Sequence, residues 1–152
     1  MAARDTSQDK IDRNWQELLQ ELRVAQTAVQ ILTGFLLTLP FTPRFHELED
    51  SRHAVYAVVL CAAVVATFLL MTPVALHRAL FGHDARPWLV EAADRASRWG
   101  LAVLALANIG AVWLILDVVT TMWIAWVVAL LVALFVVVVW VVVPARELKL
   151  AK

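Results

Sequence analysis

The sequence predicts an all-α membrane protein, a four-helix antiparallel transmembrane bundle. Four apolar stretches, at residues 24–40, 54–76, 99–118 and 123–143, predict the spans. Hydrophobic residues make up 62% of the chain and charged residues 17%, whereas soluble domains average about 45–50% and about 25%. A helix needs about 20 apolar residues to cross a hydrocarbon core of roughly 30 Å. The second, third and fourth stretches reach that length, while the first is shorter and more polar.

The basic residues predict the orientation of the spans. Of the 13 Lys and Arg residues, 11 lie before the first span, between the second and third, or after the fourth. The other two, Arg44 and Arg52, lie between the first and second spans. Short loops rich in Lys and Arg remain in the cytoplasm during insertion. Both termini are therefore predicted to be cytoplasmic (N-in, C-in), with the first span acting as an uncleaved anchor.

The residues that precede the first span fall into an irregular polar segment and an amphipathic segment. Residues 1–9 are polar and predict a disordered N-terminus. Residues 10–23 predict a cytoplasmic helix because apolar side chains recur on one helical face. These residues are Ile11, Trp15, Leu18, Leu19 and Leu22. Between residues 11 and 22 there are three acidic residues and one basic residue, which favours packing on a partner helix over adhesion to anionic lipid. Since no Gly or Pro intervenes, it should continue into the first span as one long helix or with a slight bend at Arg23.

A second amphipathic helix is predicted at residues 87–98, directly before the third span. It opens with Pro87, which suits a first helical turn, and carries the acid-to-base pairs Glu91–Arg95 and Asp94–Arg98. Both amphipathic helices should form cytoplasmic extensions of a single membrane domain at residues 10–146. Residues 147–152 then form a cytoplasmic tail.

The first span carries the main candidate site, a stripe of polar residues. Its members advance by three or four residues and stay within about 140° of the helix circumference, at 100° per residue. They are Arg23, Gln26, Thr27, Gln30, Thr33, Gly34 and Thr38. Amides and hydroxyls are unfavourable against lipid, so this stripe should face the bundle or an oligomer interface. A polar lining for a solute or ion path is the alternative interpretation.

Two further polar residues lie within the apolar stretches. Asn108, near the middle of the third span, is the expected partner of Gln26 or Gln30. Asp117 is the one carboxylate inside a stretch, and proton-coupled transporters need an ionisable group of this kind. Its position near the predicted external end favours a hydrated residue or a cap of the following hairpin over a transport role.

Motifs for catalysis, cofactors and metals are not found in the sequence. His46 and His53 share an acidic loop, and His77, His83 and Asp84 share another, but neither has zinc-ligand spacing. Solvated loop residues are the favoured interpretation; a metal enzyme would need His46 and His53 to converge with a carboxylate. Because net charge is zero and no basic face lies outside the membrane flanks, nucleic acid is excluded as a partner. We expect no catalytic residue, cofactor or metal.

Several segments resemble a known family. They are residues 15–27, residues 29–45, the segment Pro73-Val-Ala-Leu-His-Arg78 and Leu116-Asp117-Val118. Together they resemble a family of short, uncharacterised four-span bacterial membrane proteins, a domain of unknown function whose members sometimes carry the label sodium/proton antiporter. The resemblance implies a bacterial plasma (inner) membrane location and supplies no catalytic residues. Small four-span antiporters place a Glu in the middle of the first span, where this chain has Gln30.

The sequence therefore favours a non-enzymatic accessory or scaffold component. Its expected partners are the lipid bilayer and either further copies of itself or another membrane protein. The alternative is an oligomeric transporter or channel, for example for cation/proton antiport, that uses the polar stripe of the first span.

Overall fold

A computed structural model describes the backbone of residues 2–79 and 86–150, and the side chains of residues 16, 20–79, 88–147 and 149. The described chain is helical and contains no strand. The long helices are α1 (Ala2–Thr38), α3 (Asp50–Ala79), α4 (Arg86–Val119) and α5 (Met122–Val137). A 3-10 turn (Leu39–Phe41) and the short α2 (Pro43–His46) connect α1 to α3, and a π-helix (Val138–Val142) joins α5 to α6 (Val143–Leu150).

Four helical segments are long and apolar enough to span a membrane. They are Gln20–Phe41, Asp50–Ala79, Trp88–Val119 and Met122–Glu147. Each contains one of the predicted stretches, so the all-helical class and the four candidate spans are confirmed. We call the end that carries the α1–α3 connection and the Thr120–Thr121 turn the hairpin end. The opposite end, which carries both termini, is the terminal end.

α3 and α4 form the most closely packed helix pair. Buried residues in both helices alternate at spacings of three and four, which is the heptad spacing of helices that supercoil around each other. They are Tyr56, Val59, Ala63, Ala66, Leu70 and Pro73 in α3, and Ala93, Ser97, Gly100, Leu104, Ala107, Ala111 and Leu114 in α4, where Asp117 is also buried. A Cβ added at Gly110 would lie 2.6 Å from Cγ2 of Val59. Small residues therefore let the two backbones approach where side chains would clash.

α1 packs on α3 through residues spaced seven apart, Leu22, Val29 and Leu36. Two hydrogen bonds cross this contact. The Tyr56 hydroxyl donates to the Leu36 carbonyl at 2.9 Å, which is the carbonyl left without a helical donor because Pro40, four residues later, has no N–H. Gln26 Nε2 donates to the Leu70 carbonyl at 3.0 Å, one residue after Leu69, whose carbonyl loses its helical donor at Pro73. Tyr56 of α3 thus supplies the donor that Pro40 removes from α1.

α5 packs on α4 alone. Its buried residues are Ala125 and Ala129, and the Trp113 and Trp126 rings lie 5.3 Å apart at the hairpin end. Among the described residues, no Cα atom of α1 or α3 comes within 8 Å of α5. The antiparallel helices are therefore arranged in the order α1, α3, α4, α5, and α5 lies at one side of the assembly. The π-helix precedes Pro144, whose ring would clash with the carbonyl of Trp140 in a regular α-helix.

The N-terminal part of the predicted organisation lies in α1. The backbone of α1 is helical from Ala2, including residues for which the sequence predicts no regular structure, because no Gly or Pro interrupts them. It then continues without a break through Arg23 into the first span. The apolar side chains predicted at Ile11, Trp15 and their neighbours lie outside the described side chains. The side of the membrane on which the termini lie, and the cytoplasmic extensions, stay predictions.

Candidate functional site

An ion pair between α3 and α4 forms the centre of the hairpin end. Arg52 lies in the first turn of α3 and Asp117 in the last turn of α4, so the antiparallel packing brings them together. Arg52 Nε donates to Asp117 Oδ2 at 2.6 Å, and Arg52 Nη1 lies 3.7 Å from Glu49 Oε2. The Asp117 side chain is 3% exposed and that of Arg52 30% exposed. A carboxylate buried to this degree requires a charged partner.

Hydrogen bonding at this site is incomplete within the described chain. Asp117 Oδ1 is buried and has no partner among the described residues, and the same holds for Trp113 Nε1, one turn earlier on α4. Unsatisfied buried polar atoms cost free energy and usually indicate an interaction outside the protein chain. The site therefore combines a fixed charge pair with free hydrogen-bonding capacity.

Two adjoining cavities open at this end. The polar cavity, of about 310 Å³, is lined by Arg44, Glu47, Leu48, Arg52, Asp117 and Val118. The apolar cavity, of about 220 Å³, is lined by Phe35, Leu39, Thr42, Arg44, Phe45, Leu48, Leu114, Ile115, Val118 and Val119. Arg44, Leu48 and Val118 line both cavities, so the charged and apolar surfaces meet along one wall.

The connection between α1 and α3 is held in place by Phe45. Its ring contacts His53 at a centroid distance of 4.7 Å and Tyr56 at 4.8 Å. His53 Nε2 lies 3.0 Å from the Phe45 carbonyl, so this imidazole is engaged by the backbone. In the described ranges, no group of three or more His, Cys, Asp or Glu residues is placed to hold a metal ion. His83 and Asp84 of the second predicted cluster lie outside the described residues.

Part of the polar stripe of the first span faces the other helices, and part of it faces outward. Gln26 and Thr33 are partly buried against the bundle; Gln26 bonds Leu70, whereas the buried Thr33 Oγ1 has no described partner. Thr27 and Gln30 are exposed. The Thr27 hydroxyl donates to the Arg23 carbonyl at 3.0 Å, while the Gln30 amide makes no hydrogen bond within the described chain. The stripe is divided because burial follows Leu22, Val29 and Leu36, which lie to one side of it.

The expected pairing of Asn108 with Gln26 or Gln30 is wrong. Asn108 Nδ2 donates to the Leu104 carbonyl of its own helix at 2.9 Å, and its side chain is exposed on α4. Depth alone suggested that pairing, and depth does not determine direction around a helix. The polar residues predicted from sequence therefore lie on the α1–α3 contact, on two outward surfaces and at the hairpin end.

Arg52 is a site residue that the predictions from sequence do not include. A signal was present, because Arg52 is one of two basic residues on the side that the charge distribution leaves depleted. A lone Arg beside the start of one span and a lone Asp beside the end of the next are brought to one end by any antiparallel pairing. Their mutual neutralisation could have been predicted from that topology.

The fold and the site together define an all-helical protein with four candidate membrane spans and a charged site at one end of them. The family model for DUF6328, a family of unknown function, matches residues 4–144. The chain therefore belongs to the DUF6328 family, which agrees with the resemblance to an uncharacterised family carried by residues 15–27, 29–45, 73–78 and 116–118. No match is found among curated proteins or among solved structures.

Proposed function

We propose that this protein is a non-enzymatic scaffold or accessory component of the membrane that self-associates through α1. The surface involved, which we call the outward face of α1, consists of Thr27, Gln30, Ile31 and Gly34. The observation that carries the proposal is the exposed Gln30 amide. It lies at the middle of the candidate span Gln20–Phe41 and has no hydrogen-bond partner in the described chain.

The cost of exposing an amide to lipid supports this proposal. A primary amide carries two donors and an acceptor, and hydrocarbon can satisfy none of them. A second copy with its own Gln30 at the same depth would offer complementary groups across a two-fold axis. Interhelical hydrogen bonds of this kind contribute about 0.6 kcal/mol on average and up to about 1.7 kcal/mol.

The shape of this face also supports close helix contact. A Cβ placed at Gly34 would meet no atom within 4 Å, so the backbone of α1 is open to approach there. Thr27 and Gly34 are both small and lie seven residues apart on the same side, with Ile31 between them. Close approach of backbones at small residues is a common basis of helix association in membranes.

The orientation of the protein in the membrane is also part of this proposal. The basic residues favour a plasma-membrane orientation with the terminal end in the cytoplasm and the hairpin end outside. The extensions of α1 and α4 beyond the spans would then offer a cytoplasmic surface for another membrane protein. Labelling of a cysteine introduced at Ala145 by a membrane-impermeant reagent should require that the membrane be opened. Labelling of intact cells would overturn this orientation.

Self-association is tested by sedimentation equilibrium of the full chain in density-matched detergent. The wild type should form a dimer or higher oligomer. Gln30→Leu should weaken association by about 1 kcal/mol for each bond lost, or roughly fivefold. Gly34→Leu should weaken it further because the added side chain prevents close approach.

The matched control is Asn108→Leu, which removes an exposed amide from a different helix. It should leave the association constant unchanged. A wild-type chain that sediments as a monomer at every concentration would overturn the proposal, as would equal effects of Gln30→Leu and Asn108→Leu.

A second candidate function is an oligomeric transporter or channel. The same exposed Thr27 and Gln30 would line a polar path between copies, and the buried, incompletely bonded Asp117 favours this candidate. Vesicles with the reconstituted protein should then show cation-dependent proton flux that Gln30→Leu or Asp117→Asn abolishes. Flux equal to that of empty vesicles from pH 6 to 9 would exclude the antiport form.

A further inference from the structure

We propose that the adjoining cavities at the hairpin end form a binding site for an aminophospholipid. The phosphodiester would lie between Arg44 and Arg52, the ammonium group beside Glu47, and part of one acyl chain in the apolar cavity. This site is separate from the outward face of α1, and it depends only on the four helices crossing a bilayer.

The polar cavity supplies the groups that such a headgroup needs. Arg44 and Glu47 are exposed, and neither makes an ion pair within the described chain. Arg52 is directed by its Nε bond to Asp117, which leaves Nη2 available. Two guanidinium groups are well suited to a phosphodiester because their planar arrays of donors match its oxygen atoms.

Charge complementarity selects a zwitterionic headgroup over an anionic one. The four ionisable residues lining the polar cavity are two arginines, one glutamate and one aspartate. Asp117 and the more distant Glu49 both pair with Arg52, so Arg44 and Glu47 remain among the lining residues as one unpaired cation and one unpaired anion. A headgroup with one phosphate and one ammonium matches that pair, whereas phosphatidylglycerol would leave Glu47 unmatched and near its phosphate.

The position of the apolar cavity specifies a lipid rather than a soluble zwitterion. It lies between the ends of α1 and α4, with Phe35, Leu114 and Ile115 on its walls, and so falls at the boundary of two spans. Headgroups reside at this depth and acyl chains extend from it into the hydrocarbon region. Arg44 lies on the wall that the two cavities share. This is the position expected for a group that binds the phosphate where the headgroup joins the acyl chain.

In this arrangement Asp117 is a positioning residue. Its Oδ2 fixes Arg52 at the side of the polar cavity, while its buried Oδ1 faces away from solvent. Without Asp117, Arg52 could extend into water, and the second donor to the phosphate would be lost. The ion pair thus links the packing of α3 on α4 to the geometry of the cavity.

The test uses the full chain in nanodiscs with equal amounts of phosphatidylethanolamine, phosphatidylglycerol and phosphatidylcholine. After transfer to detergent, retained lipids are counted by native mass spectrometry. Phosphatidylethanolamine should be retained about three- to fivefold over the other two, as expected for one partly exposed ion pair. Glu47→Gln should remove this preference, and Arg44→Gln should lower retention of all three lipids.

Arg78→Gln, which removes an exposed arginine at the terminal end, is the matched control and should change nothing. Equal retention of the three lipids by the wild type would overturn the proposal. So would a preference for phosphatidylglycerol, since the cavity would then act as an anion site. Unchanged retention by Arg44→Gln would show that the lipids bind elsewhere and would also contradict it. Each result is independent of the association constant measured for α1.

Discussion

The α3–α4 interface is packed within a single chain, whereas the outward face of α1 is exposed in the described chain. Between α3 and α4, small and large residues interlock in a heptad pattern, and a Cβ at Gly110 would meet Val59 at 2.6 Å. On the outward face of α1, a Cβ at Gly34 meets nothing within 4 Å, and Gln30 has no partner in the described chain. Both faces use small residues at heptad-like spacing.

This difference shows that small residues have two roles in the same protein. In α4 they let α3 pack within the chain, whereas in α1 they leave the backbone open. Changes to the first region should therefore alter unfolding of the monomer, and changes to the second should alter association alone. The following predictions test that separation, from the largest expected effect to the smallest.

The largest effect is expected from Arg52→Gln, which leaves the buried Asp117 carboxylate without its charged partner. Removing the partner of a buried carboxylate is strongly destabilising because an uncompensated charge remains, and the partial exposure of Arg52 moderates the loss. Unfolding in mixed micelles with increasing sodium dodecyl sulfate measures the loss.

The double variant Arg52→Gln/Asp117→Asn should recover much of this loss because no uncompensated charge remains. If the double variant is as unstable as the sum of the two single ones, the two side chains are not coupled in the folded protein.

Gly110→Val should destabilise the α3–α4 interface by about 1–3 kcal/mol, because the new side chain would overlap Val59. The same unfolding assay applies. Gly34→Val is the matched control and should leave the monomer's stability unchanged while it weakens association. Equal losses of stability in both variants would remove the distinction between the two faces.

Tyr56→Phe should destabilise the chain by about 1 kcal/mol. It keeps the ring against Phe45, 4.8 Å away, but removes the donor to the Leu36 carbonyl that Pro40 leaves without a partner. Replacing Pro40 by Ala should shrink this effect, because residue 40 then supplies an N–H. An unchanged effect in the Pro40→Ala background would contradict the proposed role of the hydroxyl.

The spans were predictable because hydropathy and length are local properties. Each predicted stretch lies inside one candidate span. The absence of Gly and Pro predicted one long helix or a slight bend at Arg23, and α1 runs from Ala2 to Thr38. The order of packing was not predictable, because the buried residues of α5 are the small Ala125 and Ala129, and alanines recur throughout the apolar stretches. Sequence alone gave no reason to place α5 at one side.

The candidate site was predictable only in part. A helical wheel identified the polar stripe of α1, but the wheel gives relative directions and no absolute one. Gln26 faces α3 while Gln30 faces away, because burial of Leu22, Val29 and Leu36 sets the rotation of the helix. Arg52 lies outside the apolar stretch that predicts the second span, because that stretch begins at Ala54 whereas α3 begins at Asp50.

The most direct test of the central claim is disulfide cross-linking in native membranes. Cys61 is exposed, so the scan begins from Cys61→Ala. Single cysteines are then introduced at Thr27, Gln30, Ile31 and Gly34, and at the exposed control positions Val65 on α3 and Leu130 on α5. Mild oxidation should give covalent dimers at Gln30 and Gly34 and none at Val65 or Leu130. Dimers that form equally at all positions, or only at the controls, would contradict self-association through the outward face of α1.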